Sequence, residues 1–179
     1  IPVSMGIDTW GVDFALLDKD DNVIGNTVGY RDGRTNGMDA EVSKIISEED
    51  LYKRTGIQKQ MYNTIYQLMA VKTAHPEYLE KAEAMLMVPD YLQFRLTGKK
   101  AQEYTEATTG QLIDPNTKDW DYELIDMLGF PRRIFQEVHK PGTVLGNLKP
   151  EIAAEVGFDL EVMQIGSHDT ASAVLAVPA

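Results

Sequence analysis

The sequence predicts a mixed α/β domain. Strand-like segments stand at both ends, helical apolar spacing fills the middle, and no repeat, low-complexity tract or Ser/Gly linker divides the 179 residues. At this length ~70% of the unfolded chain's surface can be buried, enough for a core without staples. Hydrophobic residues at 43% and charged residues at 25% belong to a globular chain, not a disordered one.

Taken in order, residues 3–7 read as a first strand. Val12, Phe14 and Leu16 alternate, the turn Asp18-Lys19-Asp20-Asp21-Asn22 follows, and Val23-Ile24 with Thr27 to Tyr30 complete an antiparallel hairpin or meander. Met38, Val42, Ile45 and Ile46 have helical spacing. Ser47, with Asp50 three residues on, opens a short helix that Gly56 closes. Ile65, Leu68, Met69 and Val71 mark a third helix, and Pro76 restarts a fourth, because Pro at a first helical position loses no hydrogen bond. Pro89 opens Asp90 to Leu96, which stops at Thr97-Gly98. A polar stretch, Glu103 to Gly110, precedes the loop Asp114-Pro115-Asn116. Asp119 is placed as the cap of a helix from Tyr122 to Leu128, with Gly129 its stop and Pro131 starting one more turn. Pro150 to Val156 is helical again, ended by Gly157. A buried strand, Val162 to Ile165, then runs through Gly166 into an alanine-rich helix from Thr170 to Val177.

Composition narrows the function. With 17 basic against 28 acidic side chains the net charge is −11, which disfavours a polyanion-binding surface and suits a small neutral substrate. The absence of cysteine excludes disulfides and thiolate metal sites. His75, His139 and His168 are far apart, so a zinc site is not expected. The longest apolar runs, Met85 to Pro89 and Ala173 to Ala179, fall far short of the ~18 residues of a spanning helix, and a soluble protein is expected.

Two segments carry candidate chemistry. The last strand–turn–helix unit places Asp169 at the carboxyl end of a strand, where ligands of open α/β sheets collect. There an aspartate either takes a proton from a substrate hydroxyl or caps the helix; both readings stay open. His168 beside it is a hydrogen-bonded structural histidine or a ligand contact. The second segment is Gly6-Ile7-Asp8-Thr9-Trp10-Gly11-Val12-Asp13-Phe14. Its glycine lets a ligand approach the backbone and its Trp10 face suits a sugar ring, unless it is a bend with a core tryptophan. Asp8 and Asp13 are also weighed as the paired carboxylates of a glycosidase, but in one strand they would face opposite ways. Tyr30-Arg31-Asp32-Gly33-Arg34-Thr35 reads most simply as a salt-bridged turn and Asn63-Thr64 as an N-cap; either also suits a polyol.

Together these residues resemble the FGGY family of carbohydrate kinases. The resemblance rests on Gly6 to Phe14, Tyr30 to Asn36, Tyr62 to Leu68, and Pro89-Asp90-Tyr91 with Leu96-Thr97-Gly98. It continues through Glu103 to Thr109 and Ser167 to Ala173, one order across nearly the whole chain. The Gly6 to Gly11 and Ser167 to Ala173 blocks resemble the branch acting on L-rhamnulose more than those acting on xylulose, glycerol or gluconate. L-Fuculose is the nearest rival substrate.

The resemblance implies an actin-like, ribonuclease-H-type fold in two domains with the active site in the cleft between them. Residues 1–179 would be most of the N-terminal, sugar-binding domain. The family's opening strand with its phosphate loop, and the second domain with most of the nucleotide site, would lie outside this chain, which alone is not expected to turn over. Asp169 is implied as the catalytic base, with Gly11, His168, Asp169 and Thr170 binding the sugar and Trp10 and Asn63 in the same pocket. ATP and Mg2+ are the implied cofactors, with no nucleotide-binding residue and no metal ligand assigned here.

The expected partners are a small ketose and the second domain of the same polypeptide, with neither nucleic acid nor membrane, in the cytoplasm. The cleft-side surface offers a route to self-association. The alternatives are a non-catalytic sugar-binding module of the same fold and a glycoside hydrolase.

Overall fold

The computed structural model of the chain describes residues 1–178. Strands β1 (Ser4–Met5) and β2 (Phe14–Leu17) and a 3-10 turn (Gly33–Thr35) lead into α1 (Met38–Ser43), α2 (Glu48–Thr55), α3 (Thr64–Ala74) and α4 (Pro76–Lys81). Strand β3 (Ala84–Met87) runs straight into α5 (Val88–Thr97), and β4 (Gln102–Glu103) into α6 (Tyr104–Thr108). Next come β5 (Ile113–Asp114), β6 (Asp119–Trp120), α7 (Tyr122–Met127), a 3-10 turn (Arg132–Ile134) and β7 (Val138–His139). The chain closes through β8 (Thr143–Asn147), α8 (Pro150–Val156), β9 (Glu161–Gln164) and α9 (Asp169–Leu175).

This is the mixed α/β architecture the sequence predicts. β9 lies between β1, parallel to it, and β8, antiparallel to it, while β2 pairs antiparallel with β3. β2 and β3 are buried at every position, so Phe-Ala-Leu-Leu and Ala-Met-Leu-Met read as continuous apolar runs rather than as alternation. Phe14, Leu16 and Met85 pack with Leu68 of α3 and Leu124 of α7 in the main core. Leu148, Leu160 and Val162 form a smaller cluster beside the β1–β9–β8 sheet.

Local rules set most helix ends. The Ser47 hydroxyl accepts the Asp50 N–H at 3.1 Å, and Gly56 ends α2 in the left-handed region at φ +67°. Pro76, Pro89 and Pro150 sit in the first turns of α4, α5 and α8.

Two expectations are corrected, and two elements go beyond the sequence reading. Residues 3–30 are not a meander: β1 and β2 join different partners, Thr27 to Tyr30 forms no strand, and only a tight turn bringing Val23 back to Leu17 survives. An apolar pattern identifies a strand but not its neighbour. The apolar run at Met85 contains a strand, too short to be told from a buried helical turn. The polar stretch from Glu103 contains α6, because the Glu103 side chain accepts the N–H groups of Thr105 and Glu106. The cap of α7 is Asp121 rather than Asp119; its carboxylate accepts the Leu124 N–H at 3.0 Å.

Candidate functional site

Thr9 and His168, one in each candidate segment, form a parallel bridge. The Thr9 N–H donates to the Ser167 carbonyl at 3.0 Å, and the Asp169 N–H donates to the Thr9 carbonyl at 2.8 Å. This stitches the two segments along one edge of a cleft of about 440 Å3. Trp10, Gly11, Tyr62, Asn63, His168 and Asp169 line it; Thr170 does not, and its hydroxyl donates to Asp169 Oδ1 at 3.3 Å instead.

Asp169 does not cap its helix. Helix α9 begins at this residue, the cap position belongs to His168, and no side chain caps it. The Asp169 carboxylate is therefore free of capping duty and 58% exposed at the cleft, with His168 Nε2 3.6 Å from its Oδ1. Asn63 behaves similarly. It occupies the cap position of α3 without capping, and its amide reaches Gln111 Oε1 at 3.3 Å beside the cleft.

Between the stitched edge and α3 the backbone makes a sharp turn. The Asp13 N–H donates to the Gly11 carbonyl at 3.0 Å across Val12, whose φ is +71°. A β-branched residue in that region is strained by on the order of 1–3 kcal/mol and persists only where its surroundings over-determine it. They do so here. The Val12 N–H donates to Thr109 Oγ1 at 3.0 Å, and its carbonyl accepts from Thr64 Oγ1 at 2.8 Å and Gln67 Nε2 at 3.1 Å. Gly11 is required by the protein itself: a Cβ there would meet Thr109 Cγ2 at 2.8 Å.

Asp13 is buried and already committed. Its Oδ2 accepts from Trp10 Nε1 at 2.8 Å and the Tyr30 N–H at 3.1 Å, and its Oδ1 accepts from Gln67 Nε2 at 3.0 Å. Asp8 is exposed. That removes the paired-carboxylate glycosidase reading, and Asp13 instead fixes the indole of Trp10 at the cleft rim. The Tyr30–Thr35 segment is not a salt-bridged turn either. Asp32 accepts the Arg34 N–H at 2.8 Å, while the Arg34 guanidinium reaches Gln67 Oε1 at 2.5 Å.

Behind the cleft lies a buried acidic group. Burial pushes the Asp90 carboxyl well above its usual range; it accepts the Glu103 N–H at 3.0 Å and bonds to the amide of Gln102. Glu106 is fully buried and neither of its carboxyl oxygens has a partner. Burial first, then the neighbouring carboxyl groups of Asp90 and Glu103, push it up to about 10. Among the described residues no cluster of His, Asp or Glu is arranged to hold a metal ion.

The sequence missed Gln67, Glu103 and Thr109 as parts of this site. All lie in segments of the resemblance, but only the fold shows them meeting the Gly11–Asp13 turn or the end of β9.

The model for "FGGY family of carbohydrate kinases, N-terminal domain" matches residues 2–176, and the chain belongs to that family. It is 56% identical over 177 residues to the rhamnulokinase of Halalkalibacterium halodurans and 54% identical over 177 residues to that of Oceanobacillus iheyensis. Each match covers 99% of this chain and 38% of the relative, so the chain spans little more than a third of those proteins.

Among solved structures, a xylulose kinase from Rhodospirillum rubrum superposes with TM-score 0.89 at 23% identity, over 98% of this chain and 37% of that one. A Plasmodium falciparum glycerol kinase with ADP gives 0.82 at 19% identity, over 92% and 34%. These likenesses bear on the fold, which is the actin-like α/β type that the resemblance implies. Among the described residues no helix is long and apolar enough to cross a membrane.

Proposed function

We propose that this chain supplies the sugar-binding part of an enzyme that phosphorylates L-rhamnulose at its 1-hydroxyl, with ATP as donor, giving L-rhamnulose 1-phosphate and ADP. The observation that carries the reading is the uncapped, exposed carboxylate of Asp169 in the cleft beside Gly11 and His168. The names of the two relatives support the sugar, and the ADP of the glycerol kinase supports the nucleotide.

In this reading residues 1–179 form most of a sugar-binding domain, and most of the nucleotide site falls on segments outside the chain. Asp169 takes the proton of the 1-hydroxyl as the oxygen–phosphorus bond forms and the bond from the γ-phosphorus to the ADP oxygen breaks. A carboxylate suits this, because the hydroxyl becomes acidic only as the new bond forms. Positioning supplies much of the acceleration. His168 and the Asn63 amide bind sugar hydroxyls, the Trp10 indole covers the apolar side of the ring, and the Gly11 turn shapes the floor. Thr170, bonded to Asp169, orients the base. Magnesium enters with the nucleotide; no described residue is assigned to it.

The test is ADP release by the natural-length protein with L-rhamnulose, L-fuculose, D-xylulose and glycerol. L-Rhamnulose is expected to give the highest kcat/KM. Sugar binding without ADP release from any of them would leave a non-catalytic binding module.

A further inference from the structure

Helix α9 buries none of its side chains, and the segment joining it to β9 has no ladder partner beyond the bridge at Thr9. Asp169 is the first residue of that helix. Its place is set by backbone hydrogen bonds, and the N–H groups of Ser167, His168 and Asp169 are each taken by a different group. The Ser167 N–H donates to Glu103 Oε2 at 3.1 Å, the His168 N–H to Thr105 Oγ1 at 3.3 Å, and the Asp169 N–H to the Thr9 carbonyl at 2.8 Å.

Two of these three acceptors depend on one side chain. Glu103 is fully buried, and its Oε2 also accepts the Thr105 hydroxyl at 2.5 Å, which aims that oxygen's lone pairs at His168. The same carboxylate accepts the Thr105 N–H at 2.9 Å and the Glu106 N–H at 3.1 Å. The donors converge on a group that offers only acceptors. A carboxylate meets that demand; a carboxamide keeps one acceptor oxygen and sets its NH2 against at least one of these donors, the Thr105 N–H at the Oε1 position.

We infer that Glu103 is a positioning residue for Asp169, acting through Thr105 and the backbone of Ser167 and His168. The inference rests on the reading of Asp169 as the base. It assigns a role to a buried acid that does not touch the cleft. A displacement of about 1 Å at a reacting group can cost on the order of 100-fold in rate, so the brace matters without contacting substrate.

The experiment is a double-mutant cycle in the natural-length protein, reading kcat for L-rhamnulose with E103Q, D169N and the pair. If Glu103 acts through Asp169, E103Q costs about 10-fold or more in the wild-type background and less than about 2-fold when Asp169 is already Asn. A structural role alone would cost the same factor in both backgrounds, and that outcome overturns the inference, as does wild-type turnover by E103Q. Should E103Q fail to fold, T105V, which removes only the hydroxyl that takes the His168 N–H, is run through the same cycle with the same criteria. Wild-type turnover by D169N would overturn the base assignment and this inference with it. A D169N variant of strongly reduced but measurable turnover, with equal losses in both backgrounds, would overturn the inference alone.

Discussion

The hydroxyl of Thr109 accepts the backbone N–H of Val12 at 3.0 Å across 97 residues of chain, while donating to the Glu106 carbonyl at 2.7 Å. One side chain thus ties the strained turn at the cleft to α6. The same contact forbids a side chain at Gly11, whose added Cβ would lie 2.9 Å from Thr109 Oγ1. Gly11→Ala is expected to destabilise the protein by about 1–3 kcal/mol, the usual cost of overpacking, and to raise the KM for the sugar. Denaturant unfolding and steady-state kinetics measure both. An alanine variant as stable as the parent would mean that the turn yields freely.

Asp169→Asn removes the proton acceptor but keeps the shape of the side chain. Loss of a general base costs at least ~100-fold in kcat, with sugar affinity changed far less. Rapid-quench or coupled assays on the intact protein, beside calorimetric sugar binding, separate the two effects. Near-parental turnover would remove the base assignment.

Glu106 is expected to make stability fall as pH rises. In the unfolded chain its carboxyl titrates at an ordinary 4.5, whereas in the fold burial and neighbouring charge raise it to about 10. Between those values unfolding releases a proton, so the stability available below 4.5 is lost progressively as pH rises toward 10. Glu106→Gln is expected to abolish that slope and to stabilise the protein near neutral pH by about 2–4 kcal/mol. Urea midpoints at several pH values test it, and parallel curves for parent and variant would contradict the assignment.

Asp121 shows the opposite sign. Burial opposes its ionisation, but a two-pronged pairing with Arg54, at 2.7 and 2.8 Å, together with the Leu124 N–H outweighs it and holds the carboxyl below its usual range. Its contribution is present above the unfolded value of 3.8 and disappears as pH falls below that. Asp121→Asn should cost about 1–2 kcal/mol at neutral pH, and the gap to the parent should close in acid. A gap that persists unchanged in acid would point to packing rather than charge.

Much of the local structure was legible because its causes are local. Ser47 with Asp50, Gly56 after α2, Pro76 and Pro150 at helix starts, and Gly98 after α5 act within one turn of the backbone, so their spacing suffices. The same holds for the family blocks, which are contiguous runs. Strand partners were not legible. Ser4–Met5 pairs with Glu161–Val162, and nothing in either stretch names the other.

Tertiary structure alone decided the rest of the site. Whether Asp169 caps a helix or faces a cleft depended on where α9 begins, and that start is held by Glu103, Thr105 and Thr9 from distant elements. That Asp13 is an anchor for Trp10 followed from Gln67 and Tyr30 closing around it. By itself the sequence determined which side chains and which helix ends the protein has. The meeting of carboxylates, amides and backbone groups far apart in the chain belongs to the folded packing, because hydrogen-bond partners are chosen by proximity in space, which spacing along the chain does not encode.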